Sequence, residues 1–148
     1  MKKIAIGLIV LFCFSCRNRT EKWLDSLSSF ERAGDEQLTV EALKPAGRDT
    51  TAVLYNVRIY PSKTWLDHKN EQATVRFNYA MDSCFYLSAG GLTYKANVVQ
   101  PVANGLTNCF EYLVSFDLDP AMETGKASLI YQDKYINNQR YTLALINK

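Results

Sequence analysis

From residue 52 onward, apolar side chains recur at every second position. Val53, Tyr55, Val57 and Ile59 alternate with Leu54, Asn56, Arg58 and Tyr60, and the run stops at Pro61, which cannot donate to a strand ladder. Phe110, Tyr112, Val114, Phe116 and Leu118 repeat the pattern opposite Glu111, Leu113, Ser115 and Asp117, stopped by Pro120. Val75, Phe77 and Tyr79, then Leu129 and Tyr131, then Tyr141, Leu143 and Leu145 extend the same period. Segments 84–87 and 93–99 flank Gly90-Gly91, a dipeptide suited to a tight hairpin, and Asn137-Asn138 marks a second turn. About seven or eight short, half-apolar strands separated by turn signals predict two antiparallel sheets packed face to face. The expected fold is mainly β, an immunoglobulin-like antiparallel β-sandwich over residues 52–148.

Upstream the period is different. Trp23, Leu24, Leu27 and Phe30 fall on one face at helical spacing, and Asn18 with Glu21 three residues later forms a variant capping box. Residues 19–32 are therefore expected as a short amphipathic helix closed near Gly34. Its apolar face either packs on its own domain or lies along the membrane or a partner. The stretch 33–51, with Gly34, Pro45, Gly47 and scattered charge, reads as a linker or edge segment with a short strand at Leu38 to Leu43.

The first residues form a leader. Lys2 and Lys3 precede the apolar run from Ile4 to Phe14, which leads to Ser15-Cys16. This is the charged, apolar and small-residue order of a secretory signal. At about 1.5 Å per residue such a run reaches roughly 16 Å, short of a bilayer core of about 30 Å. Leu11-Phe12-Cys13-Phe14-Ser15-Cys16 resembles a bacterial lipobox, relaxed at Phe14 as in lipoproteins of Bacteroidota. The resemblance implies cleavage after residue 15 and a diacylglycerol thioether on Cys16, with further acylation of the new amine. Residues 1–15 are then the signal peptide and 16–51 the lipid-anchored helix and linker. Two or three acyl chains, at about 0.8 kcal/mol per buried CH₂, hold stably where one is marginal. Arg17 and Arg19 directly after the anchor, rather than acidic residues, imply by the same resemblance an outer-membrane lipoprotein facing the periplasm.

With Cys13 removed and Cys16 acylated, Cys84 and Cys109 are the remaining pair of the four cysteines. In an oxidising compartment they suggest a disulfide, closing a loop of about 25 residues and contributing roughly 3 kcal/mol. The alternative is two buried thiols on unrelated strands. Their spacing fits neither a redox motif nor a zinc site.

Charge and motif content narrow the function. The chain has 17 basic and 15 acidic residues, and loss of Lys2 and Lys3 leaves the two signs balanced. A neutral chain lacks the basic footprint of a nucleic-acid partner. His68 is the only histidine and lies in a polar run from Trp65 to Glu71, expected as a solvated loop. Neither a G-x-S-x-G elbow, an H-E-x-x-H pair nor a phosphate loop occurs, so an enzyme is not expected, and no cofactor or metal is implied. Asp117, Asp119 and Glu123 are the one acidic group worth weighing for calcium, but Ala121 and Met122 occupy positions where a calcium loop needs an oxygen ligand and glycine. Most tyrosines fall on the inward strand parity. Tyr60, Trp65 and Tyr86 are left over as candidates for a ligand platform that would stack on sugar rings or cations.

Cys84-Phe85-Tyr86-Leu87 through Gly91, Pro101-Val102-Ala103-Asn104-Gly105, and Tyr112 through Pro120 resemble extracytoplasmic immunoglobulin-like lipoprotein domains. Size, leader and expected fold are also similar to the small outer-membrane lipoproteins of type VI secretion systems, of TssQ and TssJ type. These likenesses imply a structural or protein-interaction component of an envelope assembly, with an envelope protein as partner and the membrane held through lipid. A module that binds glycan or peptidoglycan fragments, or an inhibitor or immunity lipoprotein, is the alternative.

Overall fold

A computed structural model of the chain describes residues 27–45, 52–69, 71–118 and 127–145. Cys16, Trp23, Leu24, Asp119 and Glu123 lie outside the described residues, as do the leader and the first part of the expected helix.

Nine strands and two helices are described: β1 (Leu27–Gly34), β2 (Leu38–Pro45), β3 (Ala52–Pro61), α1 (Lys63–His68), α2 (Glu71–Tyr79), β4 (Phe85–Ala89), β5 (Leu92–Lys95), β6 (Val98–Val102), β7 (Phe110–Asp117), β8 (Ala127–Gln132) and β9 (Arg140–Leu145). They form a five-stranded sheet, β1-β2-β3-β7-β6, and a four-stranded sheet, β5-β4-β8-β9, with every pairing antiparallel. Setting β1 aside, β2-β3-β7-β6 over β5-β4-β8-β9 reproduces the immunoglobulin order A-B-E-D over C′-C-F-G. The expected sandwich is present, with β1 added at its A edge.

Strand parity explains the core. Val53, Tyr55, Val57 and Ile59 of β3 point inward and are at most 2% exposed. Tyr112, Val114 and Phe116 of β7 do the same, and they meet Phe85, Leu87, Leu129, Tyr131 and Leu143 from the other sheet. Aromatic rings fill the centre: Phe85 lies 5.3 Å from Tyr131 and 5.6 Å from Tyr112, centroid to centroid. Fully burying such side chains contributes about 1.5–3 kcal/mol each.

Three expectations are corrected. First, the helix expected over 19–32 does not extend through its C-terminal part, because residues from Leu27 form β1. Phe30 pairs with Leu43 and Arg32 with Glu41, so this backbone satisfies its donors on β2 rather than within a helix. Phe30 is 50% exposed, and the helical spacing of Leu27 and Phe30 is incidental to the pairing. Second, the linker contains a fully integrated strand. Leu38, Val40 and Ala42 of β2 are at most 1% exposed, between β1 and β3, so the sandwich includes described residues from Leu27 onward and not only those from residue 52. Third, Val75, Phe77 and Tyr79 lie on α2 rather than a strand, and Trp65 to His68 on α1 rather than in a loop. Val75 is 54% and Tyr79 81% exposed, so their alternation never marked a buried face, and only Phe77 is inside.

Two turns show why their glycines are required. At the β1–β2 turn a Cβ on Gly34 would stand 2.6 Å from the Leu38 carbonyl oxygen, while Asp35 accepts hydrogen bonds from the Gln37 and Leu38 amides. Gly90 and Gly91 have φ of 58° and 79°, the left-handed pair that a two-residue hairpin needs between Ala89 and Leu92.

The cysteines are also corrected. Cys84 and Cys109 are free thiols, both buried. The inter-sheet bridge of antibody domains joins strands B and F. Here one cysteine precedes β4 and the other precedes β7, the positions of strands C and E. Burial pushes the Cys84 thiol up to about 11 and also raises that of Cys109.

Candidate functional site

The connections β1–β2, β3–β4, β6–β7 and β8–β9 gather at one end of the sandwich. The β3–β4 connection carries both helices. Pro61 ends β3, and Ser62 caps α1 by accepting from the Trp65 amide at 3.3 Å. α2 is held by Phe77, whose ring stacks on Phe110 at 4.4 Å and meets Trp65 edge-on at 5.3 Å. Beneath it the Tyr112 hydroxyl donates to the Phe77 carbonyl at 2.7 Å. At the end of α2 the Tyr135 hydroxyl donates to the Ala80 carbonyl at 2.6 Å. The helices are thus pinned to both sheets by rings whose polar tips reach backbone acceptors.

The β8–β9 turn is organised by Asp133, which is 1% exposed. One carboxylate oxygen accepts from the amides of Ile136, Asn137 and Asn138 at 2.8, 2.7 and 3.0 Å. The other accepts from the Tyr131 hydroxyl at 3.0 Å. Asn138 has φ of 58°, a left-handed conformation that asparagine tolerates. Asp35 of the β1–β2 turn accepts from the Tyr141 hydroxyl at 2.6 Å and from Asn137 Nδ2 at 3.0 Å, linking the two turns. The Tyr141 bond leads in holding the Asp35 carboxyl below its usual range, while burial raises the Tyr141 hydroxyl to about 12.

The β6–β7 connection is clasped by Glu111. Across the outer face of the five-stranded sheet, Arg32, Glu41, Arg58 and Glu111 stand opposite one another in register, a ladder of alternating sign. Arg58 Nε is 3.2 Å from Glu111 Oε2, and Asn56 and Asn104 donate to the same carboxylate at 2.6 and 3.0 Å. Burial raises the Glu111 carboxyl, but the bonds from Asn56, Asn104 and Arg58 outweigh it, and the net shift is downward. The bond from Asn104 ties the β6–β7 connection to the sheet, while Asn56 and Arg58 take the rest of the carboxylate's contacts. Glu111, so engaged, is among the described residues the one acid lining the adjoining cavity of about 310 Å³, beside Asn104, Leu106 and Thr74.

A second cavity, of about 260 Å³, lies between the two helices and the β8–β9 turn. Trp65, Tyr135, Gln72, Lys69 and Arg76 wall it, with His68 at its border. The Arg76 guanidinium sits 5.9 Å from the Tyr135 ring centre and Lys69 Nζ 5.6 Å from that of Phe110. Neither cation meets a carboxylate among the described residues. His68 Nδ1 is 2.7 Å from the Thr64 carbonyl, so it carries the proton and donates, leaving Nε2 outward. On the other side of Trp65 and His68 a cavity of about 460 Å³ continues toward Gln37, Ser62 and Ile136.

Of the three candidate platform residues, only Trp65 belongs to this end in an open position. Tyr60 lies on the outer face of β3 among Glu41 and Cys109, its hydroxyl raised to about 12 by burial and these neighbours. Tyr86 is on the outward parity of β4 in the opposite sheet, donating to the Ser83 carbonyl at 3.1 Å. The three do not form one surface. Tyr135, Lys69 and Arg76 replace them, and their sequence surroundings gave no signal, because nothing local says that residues some sixty positions apart share a wall. Among the described residues no group of three or more His, Cys, Asp or Glu is placed to hold a metal ion. Compared with known proteins, the chain matches no family model, no curated protein and no solved structure.

Proposed function

We propose that this chain is a lipid-anchored, non-catalytic component of the bacterial envelope that presents the helix-capped end of its sandwich to a protein partner, away from the membrane. The observation that carries the reading is the direction of the chain. β1 starts opposite Pro45 and runs toward the β1–β2 turn, so the segment leading from Cys16 joins the sandwich at the end opposite α1 and α2. Ten residues of β3 at about 3.3 Å each put roughly 30 Å between the two ends.

Val75 and Tyr79, one turn apart on α2, and Leu106 of the β6–β7 connection supply exposed apolar side chains at the distal end, while Leu54, Leu92 and Val98 are exposed toward the other end. Such a group rimmed by polar residues is what protein interfaces use. The resemblance to secretion-system lipoproteins supports an envelope assembly as the setting.

The test is a photo-crosslinking amino acid placed at Tyr79 or, as control, at Leu92 beside the hairpin at the far end of β4. Tyr79 should capture one discrete envelope protein and Leu92 should not. Cys16→Ala should release the chain from the membrane fraction and abolish the adduct. Equal capture from both positions, or a Cys16→Ala protein that stays membrane-bound, overturns the reading.

A further inference from the structure

We propose that the groove along α1, between the two helices and the β8–β9 turn, binds an acidic oligosaccharide, with the carboxylated ring seated between Trp65 and Tyr135 and its charge held by Lys69 and Arg76. This goes beyond the docking reading, concerns a different face of the same end, and does not depend on the lipid.

Four observations converge. The cavity of about 260 Å³ is lined by Trp65 and Tyr135, the cations Lys69 and Arg76, and Gln72, with His68 and Ala73 completing it and no carboxylate among them. Its size lies just below the roughly 300–1,000 Å³ of drug-sized sites, which suits a single ring. Arg76 lies over the Tyr135 ring of this cavity, and Lys69, which lines both this cavity and the adjoining one of about 310 Å³, lies over Phe110; both are weak engagements of exposed cations that leave hydrogen-bond donors to share with an anion. The walls are also fixed in advance. Tyr135 is tied through its hydroxyl to Ala80, Trp65 is packed edge-on against Phe77 and Phe110, and the turn bearing Tyr135 is held by the Asp133 carboxylate. Little ordering is then required on binding.

The neighbouring cavity settles the length of the ligand. Trp65 and His68 border both spaces, and the second one offers neutral groups, Gln37, Ser62 and Thr64, with Glu36 at its edge. An anion is favoured on the Arg76 side and disfavoured near Glu36. The fitting molecule has an acidic ring followed by at least one neutral, hydroxyl-bearing ring. Aromatic walls stack on the C–H faces of pyranoses, and amides and hydroxyls serve their oxygen atoms.

Isothermal titration calorimetry on the purified full-length chain in detergent tests this with four probes: a uronic-acid-containing disaccharide, its neutral counterpart, the free uronic acid, and inorganic phosphate. The acidic disaccharide should bind saturably, with the neutral counterpart and phosphate each at least about tenfold weaker. Affinity should fall with added salt, as expected for partly exposed charge. Arg76→Gln should remove the preference for the acidic disaccharide over the neutral one. Leu92→Ala, at the hairpin on the opposite end of the sandwich, should bind as the parent does. Binding of phosphate as strong as that of the disaccharide would make this an anion site only and overturn the proposal. So would equal binding of the neutral sugar, an unchanged preference in a folded Arg76→Gln variant, or no heat from any sugar. Loss of the membrane anchor in a Cys16→Ala chain would leave these titrations unaffected, so the two readings fail separately.

Discussion

Replacement of Asp133 by asparagine is the sharpest probe of how the distal end is built. The substitution is nearly isosteric and fills the same space, so packing is preserved. What changes is the complementarity of donors and acceptors. Three backbone amides aim at one carboxylate oxygen, and the Tyr131 hydroxyl and, at 3.4 Å, the Tyr135 amide aim at the other. In either orientation an asparagine NH₂ faces donors. Orientation toward Tyr131 is the less costly, because a hydroxyl can turn its proton away, but the amide oxygen left for the turn then carries no charge. Bonds to a charged acceptor contribute about 1.5–3 kcal/mol each, and bonds sharing one acceptor do not add. Removing a buried charge gives back part of the loss. The net expectation is destabilisation of about 2–4 kcal/mol, a large share of the 5–15 kcal/mol typical of a domain. Urea unfolding followed by tryptophan fluorescence should show a lower midpoint at unchanged slope, and the thermal midpoint should fall by roughly 8–15 °C. A loss below about 0.5 kcal/mol would refute the claim that this carboxylate organises the turn.

Other perturbations address the remaining parts. Phe77→Ala should cost about 3–5 kcal/mol, because its fully buried ring stacks on Phe110 and meets Trp65 and Tyr135, and near-ultraviolet circular dichroism should report the loss of aromatic packing. Cys84 and Cys109 should resist a thiol reagent in the folded protein and react in urea, and added reductant should leave the unfolding midpoint unchanged, since both are buried free thiols. The carboxyls of Asp35 and Glu111 are lowered on folding, so their contribution is complete above the unfolded carboxylate pKa and is lost as pH falls through the folded value. Stability should therefore decline on acidification below about pH 5, and Glu111→Gln should show a shallower decline than the parent in the same titration.

Where period and burial coincide, the sequence alone is enough to place a strand. β3 and β7 are legible because their inward residues are almost all large and apolar, and each run is closed by proline. β1 is not, because a strand added at an edge buries little: Phe30 is half exposed, and only its register on β2 distinguishes it from a helix turn. β2 is expected as a short strand at Leu38 to Leu43 but reads as linker or edge rather than core, because Glu41 and Lys44 stand among its apolar residues; Glu41 in fact sits in a charge ladder that needs three other strands to exist. The α2 segment misled in the opposite sense, since positions i, i+2 and i+4 fit a strand while i and i+4 also fit a helix. Trp65 was recognised as a surface aromatic, but its partners Tyr135 and Arg76 come from other elements and are joined only by the tertiary fold. Asp133 and Asp35 gave no warning at all, because a short acid in a turn looks the same whether it accepts one backbone amide or four.

Because β1 begins and β9 ends at the same pole, the helix-bearing β3–β4 connection and its neighbouring loops lie at the opposite pole from both of those strand ends. Insertions or exchanges in the β3–β4, β6–β7 and β8–β9 loops leave those two strand ends untouched. Natural variation can thus re-tool the crown of the molecule while the opposite pole stays constant.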